Sequence, residues 1–148
     1  IDYKNKKIGG YNLYFLGVKF PRKTKKKEEG YSPYKTALEE YRRLNEFFKK
    51  NNPKKIILLT HEPPKNTKFD KIISANNPLN GKHVGDYIIK KIINKYHPFI
   101  HISGHMHEHQ GKSKLGRTLL ISHGAAQLGR FALLELEKDK IKKLKFYK

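Results

Sequence analysis

Between Thr36 and Lys50 the apolar residues Ala37, Leu38, Tyr41, Leu44, Phe47 and Phe48 recur every three to four positions, the spacing that gives a helix one buried face. Asn51-Asn52-Pro53 ends that pattern. A second stripe of the same period, Ile88, Ile89, Ile92, Ile93 and Tyr96, predicts another helix that starts at Gly85-Asp86 and stops at His97-Pro98. Between and after the helices lie short apolar runs without alternation: Lys55 to Thr60, Phe99 to Ser103 and Thr118 to Ser122. The first of these, apolar without alternation, predicts a strand covered on both faces. Asn12 to Phe20, aromatic and β-branched, reads as a further strand that stops at Pro21. Arg130 to Glu137 and Lys140 to Tyr147 read as an antiparallel hairpin around Lys138-Asp139, with Leu144 and Phe146 alternating against Lys143 and Lys145. Pro63 to Gly85, carrying Asp70 and His83, is read as a long loop, and Gln110 to Arg117 as a polar one. The expected class is α/β.

Two strands in this pattern deliver histidines at their carboxyl ends. Gly104-His105-Met106-His107 follows Phe99 to Ser103, and His61 follows Lys55 to Thr60 and precedes the rigid Glu62-Pro63-Pro64. That edge of an open α/β sheet is where such folds place their chemistry. Imidazole is the commonest metal-ligating side chain, and a glycine before a histidine pair lets the chain turn tightly enough to aim both rings at one point. His61, His105 and His107 are therefore expected to converge as metal ligands. His101, inside its strand, is expected to pack or to act behind the ligands.

Cysteine is absent, which excludes disulfides, thiolate metal sites and cysteine nucleophiles, so a metal must be held by nitrogen and oxygen. Against 13 acidic residues stand 33 Lys and Arg, a formal charge of +20. Such a charge draws polyanions and phosphate-bearing ligands. Six of the basic residues, Lys19, Arg22, Lys23, Lys25, Lys26 and Lys27, crowd one loop, with Gly30 and Ser32-Pro33 continuing the irregular stretch. Abundant Lys and Ile with few Gln also suits a thermophile. No apolar run approaches the ~20 residues that cross a bilayer. No charged-then-apolar leader precedes a small-residue cleavage site, so a soluble, cytoplasmic protein without a membrane partner is expected. The 148 residues suit one domain.

Taken in order, Leu58-Leu59-Thr60-His61-Glu62-Pro63-Pro64, Gly104-His105-Met106-His107-Glu108 and Leu119-Leu120-Ile121-Ser122-His123-Gly124 resemble the C-terminal half of a calcineurin-like metallophosphoesterase. Tyr11 to Gly17 resembles the strand after that family's Gly-Asn-His motif, and Thr67-Lys68-Phe69-Asp70 with His83-Val84-Gly85 resembles connecting segments of its predicted prokaryotic phosphoesterases. The resemblance implies that residues 1–148 are one domain, the C-terminal portion of an αββα sandwich of mixed sheets flanked by helices, supplying one sheet, two helices and part of the other sheet. It implies two divalent ions (Mn, Fe, Zn, Ni or Co) in the complete enzyme, with His61 and His105 on one and His107 on the other. No Asp-x-His, Gly-Asp-x-x-Asp or Gly-Asn-His occurs here, so the family's bridging Asp, Asn ligand and general-acid His have no counterpart. The chain begins at Ile1, and the expectation is that an N-terminal half of the same fold, covalent or in trans, carries those motifs.

The leading expectation is thus a metal-dependent hydrolase of phosphate monoesters or diesters, active only with that N-terminal half, in which His123 borders the substrate phosphate. Glu62 and Glu108 flank ligand histidines, but neighbours on an extended segment point away from one another. The alternative is a non-catalytic nucleic-acid-binding or regulatory subunit that keeps the framework, for which the +20 charge speaks. A single structural zinc is the weakest reading, since such sites are closed by four ligands and rich in cysteine.

Overall fold

Residues 3–16 and 33–148 are described in this computed structural model. They build three layers: helices, a central sheet and a hairpin. The sheet is six-stranded in the order β1-β2-β3-β4-β6-β5, from β1 (Tyr3–Ile8), β2 (Tyr11–Leu16), β3 (Ile56–Thr60), β4 (Ile100–Ser103), β5 (Gly111–Leu115) and β6 (Thr118–Ser122). β2, β3, β4 and β6 run parallel, while β1 and β5 are antiparallel edges. Helices α1 (Pro33–Lys50) and α2 (Tyr87–Tyr96) make the crossovers, and β7 (Phe131–Glu137) with β8 (Lys140–Tyr147) forms a separate two-stranded sheet.

Alternate residues of the central strands serve the two faces. Leu58 of β3 and Leu120 of β6 pack with Leu44 and Phe48 of α1 and Ile89, Ile92 and Ile93 of α2. Ile57, Ile100 and Ile121 point the other way, toward Leu134 and Leu136 of β7 and Ile141, Leu144 and Phe146 of β8. Cover on both faces explains the unbroken apolar stretches Ile56 to Leu59 in β3 and Leu119 to Ile121 in β6. The parallel strands share one carboxyl edge, and register pairs Thr60 with Ser103 and Ser103 with Ser122 there.

Several expectations change. β2 is described only to Leu16, so Gly17 to Phe20 of the expected strand and the basic residues from Lys19 to Lys27 lie outside the described residues, as do Gly30 and Ser32. Pro33 begins α1 rather than continuing a loop, a position where a proline costs the helix no hydrogen bond. Lys55 belongs to a 3-10 turn, Pro53–Lys55, so β3 starts one residue later. Gln110 to Arg117 is no loop: Gly111 to Leu115 is the edge strand β5, whose Lys112 and Lys114 are exposed. β1, whose residues Lys4, Asn5, Lys6 and Lys7 gave no apolar signal, pairs with β2 across a two-residue turn at Gly9-Gly10, both at positive φ (54° and 83°). No helix among the described residues is long and apolar enough to cross a membrane.

Candidate metal centre at the carboxyl edge

β3 ends at Thr60 and β4 at Ser103, adjacent strands in register, so His61 and Gly104 leave the sheet side by side. The Gly104 N–H donates to the His61 carbonyl (3.1 Å), and Met106 N–H donates back to Gly104 O (2.7 Å). That short turn forces His105 to φ 60°, a region costly to a residue with a Cβ and found where a site fixes the backbone. Buried Met106 anchors the turn from below. Its consequence is that His105 Nδ1 and His61 Nε2 stand 2.9 Å apart, their rings crossed at 62°. Two neutral ring nitrogens at that separation share a proton, and a divalent cation suits the same two donors.

His107 is exposed on the far side of the turn, where its Nδ1 lies 3.2 Å from Gln127 Nε2 and its carbonyl accepts from Arg130 Nη1 at 3.5 Å. The structure thus brings His61 and His105 together and sets His107 against the segment after β6. Among the described residues no group of three or more His, Asp or Glu side chains is arranged to hold a metal ion. The donor set fits two imidazole ligands of one ion. Two ions would need further ligands and carboxylate charge beyond those the described residues bring to this edge. His123 stands beside the turn, its Nε2 3.3 Å from where a Cβ on Gly104 would lie. With Arg130 it also lines a cavity of 290 Å³ whose other walls include Ile102, Ile121, Phe131 and Leu134. Gln127 carried no signal in the sequence, because the loop that brings it to His107 has no periodicity, and Arg130, expected to open the hairpin, lies just before β7.

The segment from Pro63 to Gly85 frames this edge and is organised by Asp70. Its fully buried carboxylate accepts from the N–H groups of Asn66 (2.8 Å), Thr67 (2.7 Å) and Gly85 (3.1 Å) and from His83 Nδ1 (2.7 Å). Burial alone would raise the Asp70 pKa, but the bonds from His83, Thr67, Asn66 and Gly85 together hold it below the usual carboxylate value. A Cβ on Gly85 would come within 2.6 Å of Asp70 Cβ and Pro63 O, so only glycine lets this staple close. His109 ties the segment to the histidine turn by donating from Nε2 to Lys71 O (2.6 Å). The resembling segments around Asp70 and His83 therefore have a structural part here. Asp70→Asn is expected to cost about 2–3 kcal/mol at pH 7. Since the folded pKa is depressed, that contribution is present above the unfolded value and disappears as pH falls through the folded one. Denaturant unfolding of both proteins at neutral and strongly acid pH checks it; an equal difference at both would contradict the assignment.

On the helix face behind His61 stand further carboxylates. Glu40 of α1 is 1% exposed, and neither of its oxygens has a hydrogen-bond partner among the described residues. Burial, with the negative charges of Asp86 and Glu62 nearby, pushes its pKa up to about 8. Asp86 caps α2, accepting from the Ile89 N–H at 2.9 Å. Burial raises it to about 6 against the lowering effect of the N–H groups of Ile89 and Ile88. Glu62 lies close enough for its negative charge to raise the pKa of both Glu40 and Asp86. Glu108 is exposed.

Known proteins share this fold. The family described as metallophosphoesterase, calcineurin superfamily, matches residues 10–146. An uncharacterized protein of Methanocaldococcus jannaschii, MJ1162, is 34% identical over 129 residues, which are 82% of this chain and 52% of that protein. One solved crystal structure superposes on 96% of this chain and 51% of its own with a TM-score of 0.64 at 22% identity. TT1561 of Thermus thermophilus covers 97% of this chain and 56% of its own, with a TM-score of 0.53 at 18% identity. The likeness to the two structures shows the fold. The chain spans about half the length of these relatives.

Proposed function

The chain belongs to the calcineurin superfamily of metallophosphoesterases, and from that membership we propose that it supplies part of a metal-dependent site that hydrolyses phosphate esters. The observation that carries the reading is the 2.9 Å approach of His61 Nε2 to His105 Nδ1 at the end of two parallel strands. In this reading both hold one divalent ion, and His107 serves a second. A bound ion pair would supply hydroxide at neutral pH and offset the charge that resists attack on a phosphate ester. His123 and Arg130, beside the turn and on one cavity wall, would meet the substrate phosphate. The remaining ligands, carboxylates above all, would come from the complementary half of the fold, continuous with this chain or on another. The +20 charge favours anionic substrates and leaves nucleic acid among them.

The 148-residue chain alone is expected to hydrolyse nitrophenyl phosphomonoester and phosphodiester substrates with Mn²⁺ or Ni²⁺ no faster than its His61→Ala variant. With the complementary half present, metal-dependent turnover should appear and a chelator should abolish it. Strong metal-dependent hydrolysis by the chain alone, lost in His105→Ala, would contradict a site shared between halves. Salt-sensitive nucleic-acid binding without any metal-dependent turnover in the complete protein would favour a binding subunit instead.

A further inference from the structure

Behind the proposed ligand His61 lies a chain of polar contacts that ends in a fully buried histidine. Thr60 Oγ1 is 2.5 Å from the carbonyl oxygen of Glu62 and 2.8 Å from His101 Nε2. A carbonyl carries no proton, so two oxygens at 2.5 Å require the hydroxyl proton to lie between them. Thr60 then has only lone pairs left to offer His101, and the ring must donate. His101 is therefore the Nε2–H tautomer, with Nδ1 bare. That nitrogen has no partner among the described residues, and burial holds the imidazole pKa down at about 3, which keeps the ring neutral.

The geometry of this chain encloses one residue. The Thr60 hydroxyl grips the carbonyl of Glu62, two residues ahead, while the carbonyl of His61 between them accepts from Gly104 N–H. The His61 backbone is thus tied to β4 twice, once through Gly104 at the strand end and once through His101 inside it. We propose that His101 and Thr60 are positioning residues that hold His61 at the metal: the donated Nε2–H orients the hydroxyl, and the hydroxyl fixes the turn from which the imidazole projects. This rests on the reading of His61 as a ligand. A leucine at position 101 would fill much of the same volume but would remove the hydrogen bond that holds the Thr60 hydroxyl from the β4 side.

The test uses the complete protein and Co²⁺ as the probe. Long-range proton–nitrogen NMR should find His101 as the Nε2–H tautomer across pH 5–8; the Nδ1–H tautomer would overturn the proposal. Thr60→Val and His101→Leu should each weaken Co²⁺ binding about tenfold or more, as losses behind a ligand do. Thr60→Ser, which restores the hydroxyl, should bind within about twofold of the parent. If Thr60→Val lowers the unfolding temperature yet leaves Co²⁺ affinity unchanged while His61→Ala abolishes it, the residues are structural only and the proposal fails. If His61→Ala itself leaves Co²⁺ affinity unchanged, the ligand reading fails instead. Should His101→Leu not fold, the Thr60 pair and the tautomer measurement decide.

Discussion

Glu40→Gln is expected to stabilise the fold by on the order of 3–4 kcal/mol at pH 9 and to change it little at pH 5. The carboxyl is buried without a partner among the described residues, and its pKa rises from 4.5 to about 8. An acid whose folded pKa is raised keeps its proton in the native state while the unfolded chain gives it up. Its favourable state is therefore complete below pH 4.5 and is eroded as pH climbs toward 8, where the native protein must either ionise a buried group or unfold. Glutamine has the same shape and never ionises, so it resembles the protonated acid at low pH and removes the penalty at high pH. The negative charges of Asp86 and Glu62 sharpen the effect, because each raises the cost of charging Glu40. Urea unfolding of both proteins at pH 5, 7 and 9 measures it. A difference that is the same at all three, or a destabilised variant at pH 9, would show that the Glu40 charge is met by a partner.

What the sequence made legible follows the burial of each element. β3, β4 and β6 are covered by helices on one face and by the hairpin on the other, so Ile56, Ile57 and Leu58, or Leu119, Leu120 and Ile121, are apolar without a break. Leu44, Phe48, Ile89, Ile92 and Ile93 carry the helical period because each helix buries only one stripe. The edge strands escaped. β1 reads Tyr-Lys-Asn-Lys-Lys-Ile and β5 reads Gly-Lys-Ser-Lys-Leu, and at an edge backbone pairing with one neighbour suffices while lysines guard the open side. Strand ends were legible for the same reason as the strands, which placed His61 and His105 correctly at adjoining ends. Other polar groups near this edge were not. Thr60 sits inside an apolar run, Gln127 and Arg130 lie on an irregular segment, and Glu40 borders the apolar stripe of α1 as one more charged residue until the packing of α2 encloses it. Each becomes meaningful only through contacts distant in sequence.

His61→Ala and His105→Ala are each expected to remove the same metal ion from the complete protein, about one equivalent per chain, and with it hydrolysis of phosphate esters by at least about a hundredfold. The 2.9 Å separation of their nitrogens makes them one donor pair, so loss of either takes from the ion one of the two imidazoles this chain supplies and weakens its binding. His107, turned toward Gln127, is not part of that pair, and His107→Ala should spare this ion while depleting the other. Complete loss of all metal in each of the three variants would point to one shared ion.

The central claim, that the two strand-end histidines hold a metal, is tested most directly by anomalous diffraction from crystals of the complete protein grown with Mn²⁺. The account predicts a manganese peak at bonding distance, roughly 2.0–2.3 Å, from one ring nitrogen of His61 and one of His105. A well-ordered map in which His61 and His105 remain joined to each other, with the metal bound elsewhere or not at all, would contradict it.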